Sequence, residues 1–211
     1  VYLAKADARG ALLWKKWFGE GGWEEALDLI ATRDGGFALA GLTKSKGAGD
    51  LDCWLLKTSR DGFRQWDKTF GGKDADIANA LLQTDDGGFL LAGTSKSKRS
   101  GMRFPDAYMV QTSAGGELQW EQYFGNDRDD AFHTLCLMHN GSVAITGNLD
   151  GDAATLLRCT DPRTAQFALA GIRDAVTIDV TDISLRSADG TLTPGERAYL
   201  SFKIKNSSGL D

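Results

Sequence analysis

Short apolar runs broken by glycine corners recur along this chain, and they are of two kinds. Phe89-Leu90-Leu91-Ala92-Gly93-Thr94 is apolar at consecutive positions, as in a strand covered on both faces, and a polar loop from Ser95 to Pro105 leads to the next strand, Ala107-Tyr108-Met109-Val110-Gln111-Thr112. Leu118-Gln119-Trp120-Glu121-Gln122-Tyr123-Phe124 instead alternates, which predicts one buried face. Ahead of them Asp76 to Thr84 ends at Asp85-Asp86-Gly87-Gly88, a corner of the kind that joins antiparallel strands. The spacing of Ala78, Ala80, Leu81 and Leu82 also tolerates a helix. That run is only about two turns long between glycine corners, so a strand is the expectation, giving four strands per unit.

The unit is written three times. Trp14, Phe18-Gly19, Asp34-Gly35-Gly36-Phe37 and Ala40-Gly41 return 52 residues on as Trp66, Phe70-Gly71, Asp86-Gly87-Gly88-Phe89 and Ala92-Gly93. A degraded third copy has Trp120, Phe124-Gly125, Asn140-Gly141-Ser142-Val143 and Thr146-Gly147. Lys5, Lys57 and Gln111 each precede their Trp by nine residues; Arg158 matches them and points to Phe167, so residues 164–171 read as a last, degenerate strand. The physical reading of the motif is packing. The double glycines supply positive φ, each Trp covers the neighbouring unit, and Ala-Gly lets units approach closely.

Four antiparallel strands every ~50 residues are the grammar of propeller blades. The string from Thr32 to Gly72 resembles the β-propeller repeats of bacterial secreted and cell-surface proteins, whose pattern runs DGG-aromatic, AG, W-x-x-K, G-x-x-x-W and FGG. The resemblance covers residues 1–160. It implies an all-β fold: a partial β-propeller of about three and a half four-stranded blades over residues 1–171, divided at 1–19, 20–72, 73–126 and 127–171. Such a segment is an incomplete ring, cut at its N-terminal side. Two uncovered end faces of roughly 400 Å² each exceed the apolar patch a monomer tolerates, so upstream blades or partner chains are expected to complete it.

After Gly171 the pattern changes. Val176 to Val180, Ile183 and Leu185 alternate, a loop spans 188–196, and Ala198, Leu200, Phe202 and Ile204 alternate again. This resembles the opening strands of bacterial immunoglobulin-like sandwich domains. Residues 172–211 are therefore expected to be the beginning of such a domain, cut at its C-terminal side.

Composition narrows the function classes. The chain has 211 residues, 42% hydrophobic and 25% charged, with a net charge of −5, which is the profile of a globular protein able to bury a core. Its 24 basic residues form no long cluster, so no nucleic-acid surface is indicated. No apolar run approaches the ~20 residues of a membrane helix. Cys53, Cys136 and Cys159 sit in apolar strands as buried thiols, with a Cys136–Cys159 bridge as the alternative.

Candidate chemistry is sparse. His133 and His139 have no matched nucleophile or carboxylate spacing, so no catalytic constellation is present. Asn148, Asp150 and Asp152 resemble the start of a calcium loop but lack its remaining spacing and terminal Glu; no cofactor is expected. Charge sorts by loop class. Loops after Phe-Gly carry Glu20, Glu24, Glu25, then Asp74 and Asp76, then Asp127, Asp129 and Asp130. Loops between second and third strands carry Lys44 and Lys46, then Lys96, Lys98, Arg99 and Arg103. Acidic and basic collars are expected side by side on one face. Lys96, Lys98, Arg99, Arg103, Phe104 and Trp23 are its candidate ligand-binding residues, since binding residues favour loops on rigid scaffolds. Trp17, Trp23 and Trp54 are candidate sugar platforms, with core packing the more ordinary role. The expectation is a non-catalytic binding or scaffold region of a bacterial surface or secreted protein, with a protein or glycan partner. The alternative is an accessory or substrate-gating domain of a secreted protease or hydrolase whose catalytic domain lies elsewhere.

Overall fold

A computed structural model describes residues 1–98, 104–125, 128–138 and 142–149 with their side chains, and the backbone of strands within 157–161, 166–169, 179–186 and 199–205. Among the described residues every element is a strand. A two-stranded sheet pairs β1 (Tyr2–Ala6) with β2 (Leu12–Trp17). Three four-stranded antiparallel sheets follow, each with its strands side by side in chain order. The first holds β3 (Glu24–Ala31), β4 (Phe37–Thr43), β5 (Asp52–Thr58) and β6 (Arg64–Phe70). The second holds β7 (Asp76–Gln83), β8 (Phe89–Ser95), β9 (Asp106–Thr112) and β10 (Leu118–Phe124). The third holds β11 (Ala131–Leu137), β12 (Val143–Asn148), β13 (Leu157–Asp161) and β14 (Gln166–Leu169). A separate compact unit, residues 171–211, contains the antiparallel pair β15 (Asp179–Arg186) and β16 (Tyr199–Lys205).

The hydrophobic interior lies between consecutive sheets, one layer per interface. Leu3 meets Leu39, Trp54 and Leu56 in the first layer. Cys53, Leu55 and Phe70 meet Leu81, Phe89, Leu91, Tyr108 and Val110 in the second. Leu82, Leu90, Ala92 and Met109 meet Phe132, Val143 and Ile145 in the third. Odd and even residues of β5 and β9 thus enter different layers. This is why both strands are buried along their whole length, and why their central residues, Cys53 to Leu56 and Ala107 to Val110, are apolar on both faces.

The repeated tryptophans bridge the sheets. Trp14 of β2 meets Phe37 of β4 edge-on, ring centroids 5.8 Å apart, and Trp66 of β6 meets Phe89 of β8 in the same way at 5.7 Å. Each indole also lies over a turn glycine of the next sheet: a Cβ on Gly62 would fall 2.7 Å from Trp14, and one on Gly116 would fall 2.8 Å from Trp66.

Two readings of the glycines are corrected. Only the first of each Asp-Gly-Gly pair has positive φ, at Gly35 (81°) and Gly87 (87°). The second is glycine for lack of room, because a Cβ on Gly36 or Gly88 would lie 2.2 Å from the carbonyl oxygen of Thr58 or Thr112. The Ala-Gly glycines answer to a bulge in the partner strand. Register jumps past Leu27, Asn79 and His133, which are extra residues opposite Gly41, Gly93 and Gly147. The kinked strand brings a backbone carbonyl to within 1.9 Å of a would-be Cβ on Gly41 or Gly93, and 2.0 Å on Gly147.

The nine-residue spacing is a cross-strand pairing. Lys5 faces Trp14, Lys57 faces Trp66 and Gln111 faces Trp120, each beside a second bulge. The fourth pairing is shifted by one: Phe167 faces Cys159, and Arg158 faces Ala168. Among the three cysteines, Cys53 is buried, but Cys136, in β11, is exposed rather than buried. The side chain of Cys159 lies outside the described residues.

Candidate functional site

The loops that follow Phe-Gly and those that join the second and third strands of a sheet do lie against each other. The Lys96 amide donates to the Ala75 carbonyl (2.9 Å), the Asp76 amide to Leu51 (2.8 Å), and the Asp130 amide to Pro105 (3.0 Å). Their charges, however, do not form two free collars. Asp76 is fully buried: its carboxylate accepts from the Gly72 amide (2.7 Å) and the Ser97 hydroxyl (2.6 Å), while Ser97 Oγ accepts from the Asp74 amide (3.1 Å). Glu24 has the equivalent role in the preceding copy, accepting from the hydroxyls of Ser45 and Thr43, with Ser45 Oγ in turn accepting from the Gly22 amide (2.8 Å). Asp130 is also fully buried. These acids hold the loops to the sheet ends. The sequence signal for this was the serine inside Lys44-Ser45-Lys46 and Lys96-Ser97-Lys98, which the charge pattern concealed.

Asp52 lies close by, with its carboxylate accepting from the Ala48 (3.2 Å) and Gly49 (3.3 Å) amides. Burial pushes its pKa up, and the neighbouring Asp76 adds to the shift. Among the described residues no three His, Cys, Asp or Glu side chains are grouped to hold a metal. Asn148 ends β12, half-buried; Asp150 and Asp152 lie outside the described residues. His133 is the exposed bulge residue of β11, and His139 lies outside the described residues.

The lysines differ between copies. In the first, Lys46 sits between Glu20 (2.8 Å) and Asp67 (2.7 Å), and Lys44 pairs with Asp50 (2.7 Å). Hydrogen bonds from both carboxylates hold the Lys46 pKa above its ordinary value. In the second, Lys96 and Lys98 are exposed and form no ion pair among the described residues; the Lys98 ammonium lies 5.3 Å from the centre of the Tyr123 ring. Arg99 and Arg103, expected beside them, lie outside the described residues, while Phe104 follows at 37% exposure.

Trp54 is buried, its indole N–H donating to Asp67 (3.1 Å), so it is no sugar platform. Trp17 and Trp23 are 72% and 59% exposed, against the expectation of core packing. Beneath the second loop, Tyr108 stacks on Tyr123 at 4.7 Å and donates to Glu121. Burial first, then the Glu121 hydrogen bond, push the Tyr108 hydroxyl far up; Tyr123 is pushed up to about 12, chiefly by burial.

No family model and no curated protein matches the chain. It is similar to a crystal structure of a protein of unknown function from Bacteroides caccae, at 13% identity and a TM-score of 0.48. The match covers 76% of this chain and 49% of that one, so the chain spans about half its length. Among the described residues no helix is long and apolar enough to cross a membrane.

Proposed function

We propose that this chain is a non-catalytic binding and scaffold region of a larger bacterial surface or secreted protein. In this reading residues 1–171 are blades of a β-propeller, and residues 172–211 open an immunoglobulin-like domain. The order of strands within each sheet, and the face-to-face stacking of one sheet on the next, support the propeller reading. The partner is a protein or glycan recognised by the loop face around Lys96, Lys98 and Phe104, with Arg99 and Arg103 in the same loop and Trp23 on the connection between β2 and β3. The observation that carries this is the contrast between copies: Lys44 and Lys46 are neutralised by carboxylates, whereas Lys96 and Lys98 stand exposed on either side of Ser97, which is hydrogen-bonded to Asp76. Cationic side chains on a rigid frame suit an acidic ligand.

The test is binding to an array of acidic and neutral glycans and to a panel of acidic proteins. Acidic ligands should be preferred. Lys96→Glu with Lys98→Glu should weaken their binding about tenfold or more, with a steep salt dependence. Unchanged binding by that double variant would remove the loop face from the account.

A further inference from the structure

Asp52 and Asp76 open β5 and β7, and both are buried, at 1% and 0% exposure, where the first four-stranded sheet meets the second. Backbone bonds bring their segments together: the Asp76 amide donates to the Leu51 carbonyl (2.8 Å), and the Asp50 amide to the Lys73 carbonyl (3.3 Å). Among the described residues neither carboxylate forms an ion pair with a lysine or arginine; their hydrogen-bond partners are amides and the Ser97 hydroxyl. Two like charges out of water and without a cation are costly to keep. Their field is felt next door, where burial first, then Asp76 and Asp52, push the Cys53 thiol up.

The oxygens leave coordination sites over. Asp76 Oδ2 takes both of that side chain's hydrogen bonds, so its Oδ1 is buried with no partner at all. Asp52 receives one long amide contact on each oxygen, at 3.2 and 3.3 Å, and each keeps a lone pair. Glycines make the room: a Cβ on Gly47 or on Gly71 would fall 2.2 Å from the carboxylate of Asp52 or Asp76 respectively. Backbone carbonyls of Gly72 and Lys73 crowd the same loop, since a Cβ on Gly49 would lie 2.4 and 2.3 Å from their oxygens. A proton shared by the two acids would still leave one buried negative charge. A divalent cation cancels both.

We propose that Asp52 and Asp76 hold a calcium ion between the first and second four-stranded sheets, with Asp76 Oδ1 and an Asp52 oxygen as its charged ligands. Two carboxylates do not complete a shell, and no third acid is grouped with them. Calcium accepts backbone carbonyls and water for the remainder of its about six to eight oxygen ligands, in flexible geometry. Magnesium, which demands a strict octahedron and keeps several waters, fits a buried carboxylate pair less well. The ion ties the loop of residues 44–51 to that of residues 71–76, and so clamps one sheet to the next.

Calorimetry on the whole chain, stripped with EDTA and titrated with calcium chloride, tests this. Calcium should bind with measurable heat and raise the Tm by about 5 °C or more once it exceeds its Kd about a hundredfold, with magnesium chloride giving well under half that shift. Asp52→Asn and Asp76→Asn, each the same shape without the charge, should abolish the calcium-dependent rise, while Asp150→Asn with Asp152→Asn should leave it intact. Carbon-13 NMR of the unmodified chain gives a readout that needs no variant to fold: the side-chain carboxyl resonances of Asp52 and Asp76 should shift together as calcium is added. No calcium-dependent heat or Tm shift would overturn the proposal. So would an equal response to magnesium, a rise retained in both Asn variants or lost in the Asp150–Asp152 pair, or carboxyl resonances that do not move.

Discussion

Asp34 and Lys57 show how little of a residue's role its type reveals. The carboxylate sits on an exposed glycine turn, yet hydrogen bonds from Lys57 and Thr32 hold its pKa down at about 2. A depressed carboxyl pKa stabilises the fold above the unfolded value of 3.8, and the contribution is lost as pH falls through about 2. Asp34→Asn should thus cost about 1 kcal/mol at pH 7, a figure kept small because the side chain is half in water. Denaturation of the two proteins should converge as pH is lowered from 4 to 2. Cys53 behaves oppositely: burial pushes its thiol up and keeps it protonated. A thiol reagent should label exposed Cys136 in the folded protein, and reach Cys53 only after unfolding. Asp74 and Asp76 look alike in sequence as surface charges, but Asp76 is buried because Ser97, 21 residues on, closes over it. That contact is non-local, and no pattern within the loop announces it.

At the scale of the element, far more was legible. Glycine corners mark where each strand turns, and continuous apolarity marks β8 as a strand buried on both faces. Alternation in β10 predicts one buried face, but Leu118 is exposed and Tyr123 packs into the layer opposite that of Trp120 and Phe124, so the strand is partly covered on both sides. What period-two reasoning does not show is the bulge, which shifts the phase of the strand by one residue, so that Ala78 before it and Leu81 after it share a layer. Hence the Ala-Gly glycine reads as a small packing residue, when its cause is the carbonyl of a kinked partner strand. Gly93→Ala should lower stability by more than about 2 kcal/mol in chemical denaturation, since its Cβ would lie 1.9 Å from Ile77 O and rigid backbone has to move. Gly115→Ala, with its nearest neighbour at 3.8 Å and no positive φ, should stay within about 0.5 kcal/mol.

For residues 1–170 as a whole, the central claim is that the tryptophan rhythm is a rhythm between sheets. Trp14 and Trp66 each leave their own sheet and seat on the aromatic residue and turn glycine of the next. The period of the motif is therefore the spacing of packed layers, and each interface owns a separate hydrophobic core. Two-dimensional NOE spectroscopy with Trp and Phe selectively labelled tests this most directly. Cross-peaks should join the Trp66 indole to the Phe89 ring and to the Gly116 α-protons, and the Trp14 indole to Phe37 and Gly62. Indole contacts confined to residues of β5 and β6, with none to Phe89 or Gly116, would contradict it.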